Sequence, residues 1–194
     1  MDYWFGELDE SGLPDRFHRT RWFRSTKGFD REIRRRFFSM VLIASEGGLD
    51  HWRREAGGSL AEIILLDQFS RHIYRGGALA YSNDPLAVKV AKQGMEQSQD
   101  LELPGIMRAF FYMPLQHSER IAEQALSVER YEQLVASSEG LSREFLGSFL
   151  DSARDHYDIV ARFGRFPHRN RALKRKSSPG ELDYLAGAAS SFGQ

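Results

Sequence analysis

The chain has no cysteine, which excludes a disulfide framework, a thiolate metal site and a cysteine nucleophile, and fits a reducing compartment. Charge of one sign is also missing. The 27 lysines and arginines match the 27 aspartates and glutamates, so any affinity for nucleic acid or an anionic membrane must be local. No apolar stretch approaches the roughly 20 residues a membrane span requires. The opening Met1–Glu10 carries Asp2, Glu7, Asp9 and Glu10 instead of the basic start and apolar centre of a secretory leader, so a cytoplasmic location with no membrane partner is expected. Strand signals are nearly absent: period-two alternation is not sustained and β-branched residues are few. Phosphate-loop, dinucleotide-glycine, zinc-protease and EF-hand patterns are missing. The six histidines include no pair at three- or four-residue spacing, so neither a metal nor a cofactor is expected.

What is present suits one globular domain over 1–194, long enough to bury a core without staples. Residues 1–27 read as an irregular arm pinned by Tyr3, Trp4, Phe5, Trp22 and Phe23. After Gly28, apolar residues from Phe29 to Ala44 recur at helical spacing, and Gly47-Gly48 ends that helix. A short helical piece from Leu49 to Ala56 is stopped by Gly57-Gly58. Ser59 and Glu62 form a capping-box pattern that starts a helix running to about Tyr74, and its run Ile63–Leu66 is apolar all round, which places it centrally. Asn83-Asp84-Pro85 opens the next helix, with Asn83 or Asp84 as cap. Ile106–Met113 should be broken or kinked by Pro114 before a helix resumes from Gln116 to about Ala136. Leu141–Phe163, closed by Gly164, is followed by a basic loop over 164–178 and a last short helix capped by Ser178 and Glu181. The fold class is therefore all-α, a bundle or superhelix of antiparallel helices.

Four segments carry a family resemblance: Tyr3-Trp4-Phe5-Gly6; Leu65-Leu66-Asp67-Gln68-Phe69-Ser70-Arg71; Pro114-Leu115-Gln116-His117-Ser118-Glu119 with Gln124; and Arg162 through Asn170. In order and spacing the chain resembles a bacterial family known only as domain of unknown function 924. The resemblance implies an all-helical fold similar to tetratricopeptide-repeat proteins and no known activity. The chain departs from the pattern at His72, where asparagine is usual, and at Lys174, where glycine is typical.

The chemistry-bearing residues lie in these same segments. Asp67 and Arg71 are four apart and share a helix face. Behind an apolar run they must be paired or face a cavity, because an unpaired buried charge is costly. Arg71 is then either a register-fixing strut or a planar fork for a carboxylate or phosphate. His117, Ser118 and Glu119, at an expected helix start, offer an imidazole, a hydroxyl and free backbone amides. Residues 162–176 hold seven cations interleaved with Phe163 and Phe166, with no acid between Asp158 and Glu181. That composition suits a nucleic-acid surface, whereas the phrase Gly164–Asn170 reads as a loop shaped to fold inward. The leading expectation is that Asp67, Arg71, His117, Ser118, Glu119, Arg165, His168 and Arg169 line one concave site for a small anionic ligand or an acidic peptide end. Were that site catalytic, His117 or His168 would be its acid–base group. A helical scaffold for a protein partner and nucleic-acid binding by the basic segment are the alternatives.

Overall fold

The computed structural model describes residues 1–23 and 26–187. Their regular structure is helical apart from one isolated bridge between Leu8 and Pro14. The expected irregular arm contains two helices, α1 (Asp2–Phe5) and α2 (Arg16–Phe23). Their aromatics explain the order: Trp4, Phe5 and Trp22 are buried, and Trp22 Nε1 donates to the Trp4 carbonyl at 2.9 Å. Gly6 sits at φ 64°, and a Cβ there would meet the His18 ring at 2.5 Å, so the motif's glycine is sterically required.

Helix α3 (Lys27–Ser45) is capped by Thr26, whose side chain accepts from Phe29 N. A 3₁₀ turn over Asp50–Arg54 leads into α4 (Ala56–Ile63). The expected start at Ser59 is therefore three residues late, and the capping-box residues act elsewhere. Ser59 Oγ donates to Gln99 Oε1 at 2.7 Å, and Glu62 is held by Arg53 at 2.8 and 2.7 Å. Gly57 and Gly58 lie within the helix, and at Gly58 a Cβ would stand 2.1 Å from the Trp52 carbonyl, so glycine is required there. Past α4 the backbone widens into a π-helical segment, Ile64–Phe69, and closes again as α5 (Ser70–Ile73).

Helix α6 (Asp84–Glu96) follows a 3₁₀ turn over Ala78–Tyr81. Helix α7 (Gly105–His117) runs through Pro114 instead of stopping there. Nine of its residues are buried, and each fully buried large apolar side chain contributes about 1.5–3 kcal/mol, enough to offset a proline inside the helix, about 3 kcal/mol or more. The break comes instead at Ser118, whose backbone is extended. Gln124 makes that break tolerable: its Nε2 donates to the carbonyls of Gln116, at 2.6 Å, and Ser118, occupying acceptors that a helix end leaves open. Helix α8 (Ile121–Ala136) and helix α9 (Gly140–Phe163) pack on α7, and Gly164 ends α9 in the left-handed region at φ 69°. The short helix α10 (Pro179–Ala186) carries the expected capping box, with Ser178 and Glu181 exchanging bonds.

One apolar core runs from Trp4 to Ala153 and takes side chains from α1 through α9. A satellite of Ile159, Val160 and Phe166 lies under the C-terminal loop. No helix among the described residues is long and apolar enough to cross a membrane.

Candidate functional site

The π-helical segment sets the geometry of the site. Such segments are rare and gather at functional sites because they re-aim side chains within a continuous helix. Here the segment delivers Asp67, fully buried, and Gln68, with Arg71 and His72 on the turn beyond. Arg71 is 5% exposed. Its Nη1 lies 3.0 Å from Asp67 Oδ1 and donates to the Asp67 carbonyl at 2.8 Å. The same guanidinium grips Asp84 with two bonds, at 2.9 and 3.1 Å. Arg169 arrives from the C-terminal loop and donates at 3.1 Å to Asp84 Oδ2, an oxygen it shares with Arg71. Its guanidinium lies 4.6 Å from the Tyr81 ring centroid and 4.5 Å from that of Phe166, within cation–π range. Two aspartates thus meet two arginines, and this charge balance lets all four be buried together.

His117 completes the row. It sits in the last turn of α7, not at a helix start, and its Nδ1 lies 2.7 Å from Asp67 Oδ1. Burial pushes the Asp67 carboxyl up, but Arg71 and His117 outweigh it and hold the group well below the usual carboxylate range. Burial, with Arg71 nearby, also outweighs the pull of Asp67 on the imidazole and lowers its pKa. The His117 ring is therefore neutral near pH 7. A neutral ring facing a carboxylate through Nδ1 donates from Nδ1, so Nε2 carries the lone pair. His117 makes no bond through Nε2 among the described residues. His156 lies 6.0 Å away, centroid to centroid. Burial, and then His117, bring its pKa down to about 3, while burial, and then Arg169, bring His168 to about 4.

Two cavities flank this row, and His117 lines both. The first, about 400 Å³, lies between α2, the π-helical region, α7 and α9. Trp22, Met113 and Phe149 supply apolar wall, while Gln68, Arg71, His72, Arg75, Gln116 and His156 supply polar groups. The second, about 580 Å³, lies on the far side against Tyr81, Asp84, Ser118, Glu119 and Arg169. Each is within the size range of small-molecule pockets.

Of the residues expected to form one site, Asp67, Arg71, His117 and Arg169 converge in this row. Ser118 and Glu119 border the second cavity with their own partners: Ser118 Oγ donates to Glu123, and Glu119 accepts from Arg175 at 2.6 and 2.8 Å and from Phe166 N at 2.8 Å. Arg165 points elsewhere and chelates Glu181 at 2.6 and 2.8 Å. His168 packs beside Phe166, ring centroids 5.5 Å apart, outside the lining of either cavity. The basic segment is correspondingly depleted, since Arg165, Arg169 and Arg175 are each committed to an internal carboxylate.

Asp84 is the residue that reading the sequence missed. Next to a proline it looked like a helix cap, but two arginines behind an apolar run need more than one carboxylate, and that imbalance was the available signal. Asp30 was missed for a different reason. It accepts from Arg75 at 2.8 and 3.1 Å and lies 2.7 Å from His72 Nδ1, across a sequence separation no local pattern marks. His72, one departure from the family pattern, is thus drawn into a second ion-pair cluster. Lys174, the other, sits at φ 54°, a backbone conformation in which glycine is unstrained. Among the described residues, no group of three or more histidines and carboxylates could hold a metal ion.

Fold and site define an all-α domain with a buried arginine–aspartate–histidine row between two ligand-sized cavities. The family model described as "Bacterial protein of unknown function (DUF924)" matches residues 1–189, and the chain belongs to that family. It is similar to the solved structure of a protein of unknown function from Agrobacterium tumefaciens, with 39% identity and a TM-score of 0.75 over 84% of this chain and 87% of that one. The comparison with curated proteins finds no match.

Proposed function

We propose that the protein binds a small anionic metabolite in the cavity between α2, α7 and α9, with His117 as its central polar contact. The carrying observation is the Asp67–His117 pair: a fully buried carboxylate fixes the tautomer and orientation of a ring left 14% exposed at a cavity wall. Buried carboxylates that orient an imidazole recur where the far nitrogen has work to do, as ligand contact, base or metal donor. Around it, Arg71 and Arg75 give the cavity a cationic edge, while Trp22 and Phe149 provide the apolar contact small-molecule sites need.

The test is a thermal-shift panel of carboxylated and phosphorylated metabolites, because a ligand that binds only the folded chain raises the midpoint. At least one acid should raise it, and His117→Phe should remove the shift. A panel with no response would sink the reading.

A second reading, a helical scaffold whose charged motifs are internal struts, draws support from the sealing of Arg71, Asp84 and Arg169. It expects no metabolite response, together with a capture partner that still binds His117→Phe.

A further inference from the structure

We infer that the acid held in this cavity carries a hydroxyl or an amine beside its carboxylate, a hydroxyl donating to His117 Nε2 or Gln116 Oε1 and an ammonium to both. The inference rests on the pocket reading above and adds the class of acid to it.

The polar atoms of the cavity that are already occupied decide what a ligand must bring. Arg71 spends its two terminal nitrogens on Asp67 and Asp84, and Arg75 is paired with Asp30. Positive charge is therefore present but largely matched. Two side chains of the lining keep a buried atom without a partner: Arg71 Nε, a donor suited to a carboxylate, and Gln116 Oε1, an acceptor. Gln116 is 4% exposed, and its Nε2 donates to Ser152 Oγ at 3.1 Å. Its Oε1 has no hydrogen-bond partner. On the adjacent residue, His117 is tied down through Nδ1, so it too presents a lone pair. Both residues line the same cavity.

A buried acceptor left without a donor is destabilised, and a neighbouring pair of them is best relieved by a ligand that brings hydrogens. A plain carboxylate brings only lone pairs and would set acceptor against acceptor. A hydroxyl supplies one hydrogen and serves one of the two acceptors, while an ammonium supplies up to three and serves both; the carboxylate then lies toward Arg75, the more accessible of the two cations with 25% of its side chain exposed. Sites built to receive a ligand hydroxyl or amine discriminate strongly against the analogue that lacks it, because their own buried groups are then stranded.

The experiment uses matched pairs on the full chain, read by calorimetry and thermal shift: malate against succinate, citrate against tricarballylate, glutamate against glutarate. In at least one pair the hydroxylated or aminated member should bind at least about tenfold more tightly, and Gln116→Met should collapse that ratio toward one while leaving the unliganded midpoint and helical circular dichroism near those of the parent. His117→Phe, which takes away the central contact, should abolish the binding of both members of the pair. If it does not fold, Gln116→Met alone carries the test. Equal binding within every pair, or a preference that survives Gln116→Met, would overturn the inference and leave the acid pocket standing. Failure of all six acids and of the wider panel would remove both.

Discussion

The same chemistry, an arginine gripping a carboxylate, is used at two depths of this molecule. In the interior, Arg71 and Arg169 share Asp84, and each arginine side chain is 6% exposed. On the surface, Arg154 reaches Glu132 at 2.8 Å with both side chains about half exposed. The distances are alike, but the surroundings are not. Water and salt screen the surface pair to a few tenths of a kcal/mol, whereas the buried row is scarcely screened and would leave a stranded charge if one member were removed. Pair geometry alone says little about importance, and burial decides whether a charged motif is a strut.

The largest expected effect follows from removing the shared aspartate. Asp84→Ala strands the buried Arg169 guanidinium, leaves Arg71 with Asp67 alone, and should lower stability by about 3–5 kcal/mol in urea denaturation. A loss as small as that of a surface pair would mean water already reaches the row. The next effect is acid sensitivity. His156 and His168, at about 3 and about 4, fall below their unfolded value of about 6.5. Between those limits the unfolded chain binds more protons, so stability is full above about pH 6.5 and declines as pH falls. By pH 5 the loss is about 2 kcal/mol for each of the two groups. His156→Phe should flatten the profile between pH 7 and 4, and an unchanged slope would show that this ring is not kept neutral. Lys174→Gly should raise stability by about 1 kcal/mol, since a side chain in the left-handed region is strained; a lower melting midpoint would contradict the strain. Smallest of all, Arg154→Ala should change stability by less than about 0.5 kcal/mol, and a larger loss would erase the contrast between depths.

The helical class, the order of the helices and the placement of the charged motifs were legible because each rests on a local cause: helical spacing of apolar residues, glycine stops, and the Ser178 cap. Boundaries failed where a distant contact overrode a local rule. Ser59 and Glu62 look like a cap, yet Gln99 and Arg53 claim their side chains. Pro114 looks like a stop, yet a buried α7 carries the helix past it to the bonds from Gln124. The site was half legible. Asp67, Arg71, His117 and Arg169 stand in motif-like phrases, whereas Asp84, Asp30 and His156 join them only through packing that brings separate segments together. In the basic stretch composition points outward and the shaped phrase Gly164–Asn170 points inward, and three of the segment's arginines follow the phrase to carboxylates of the fold.

The widened turn at Ile64–Phe69 has a consequence for how this helix carries information. It holds one residue more than an α-helix of equal register would, so the angular position of every later residue is rotated by about 100° relative to those before it. Two helical wheels, not one, describe Ala56–Ile73. Loss of a single residue inside the turn would close it to a regular α-helix and bring the two wheels into phase, leaving Arg71 facing Asp84 while the widened turn that carries Asp67 and Gln68 is lost.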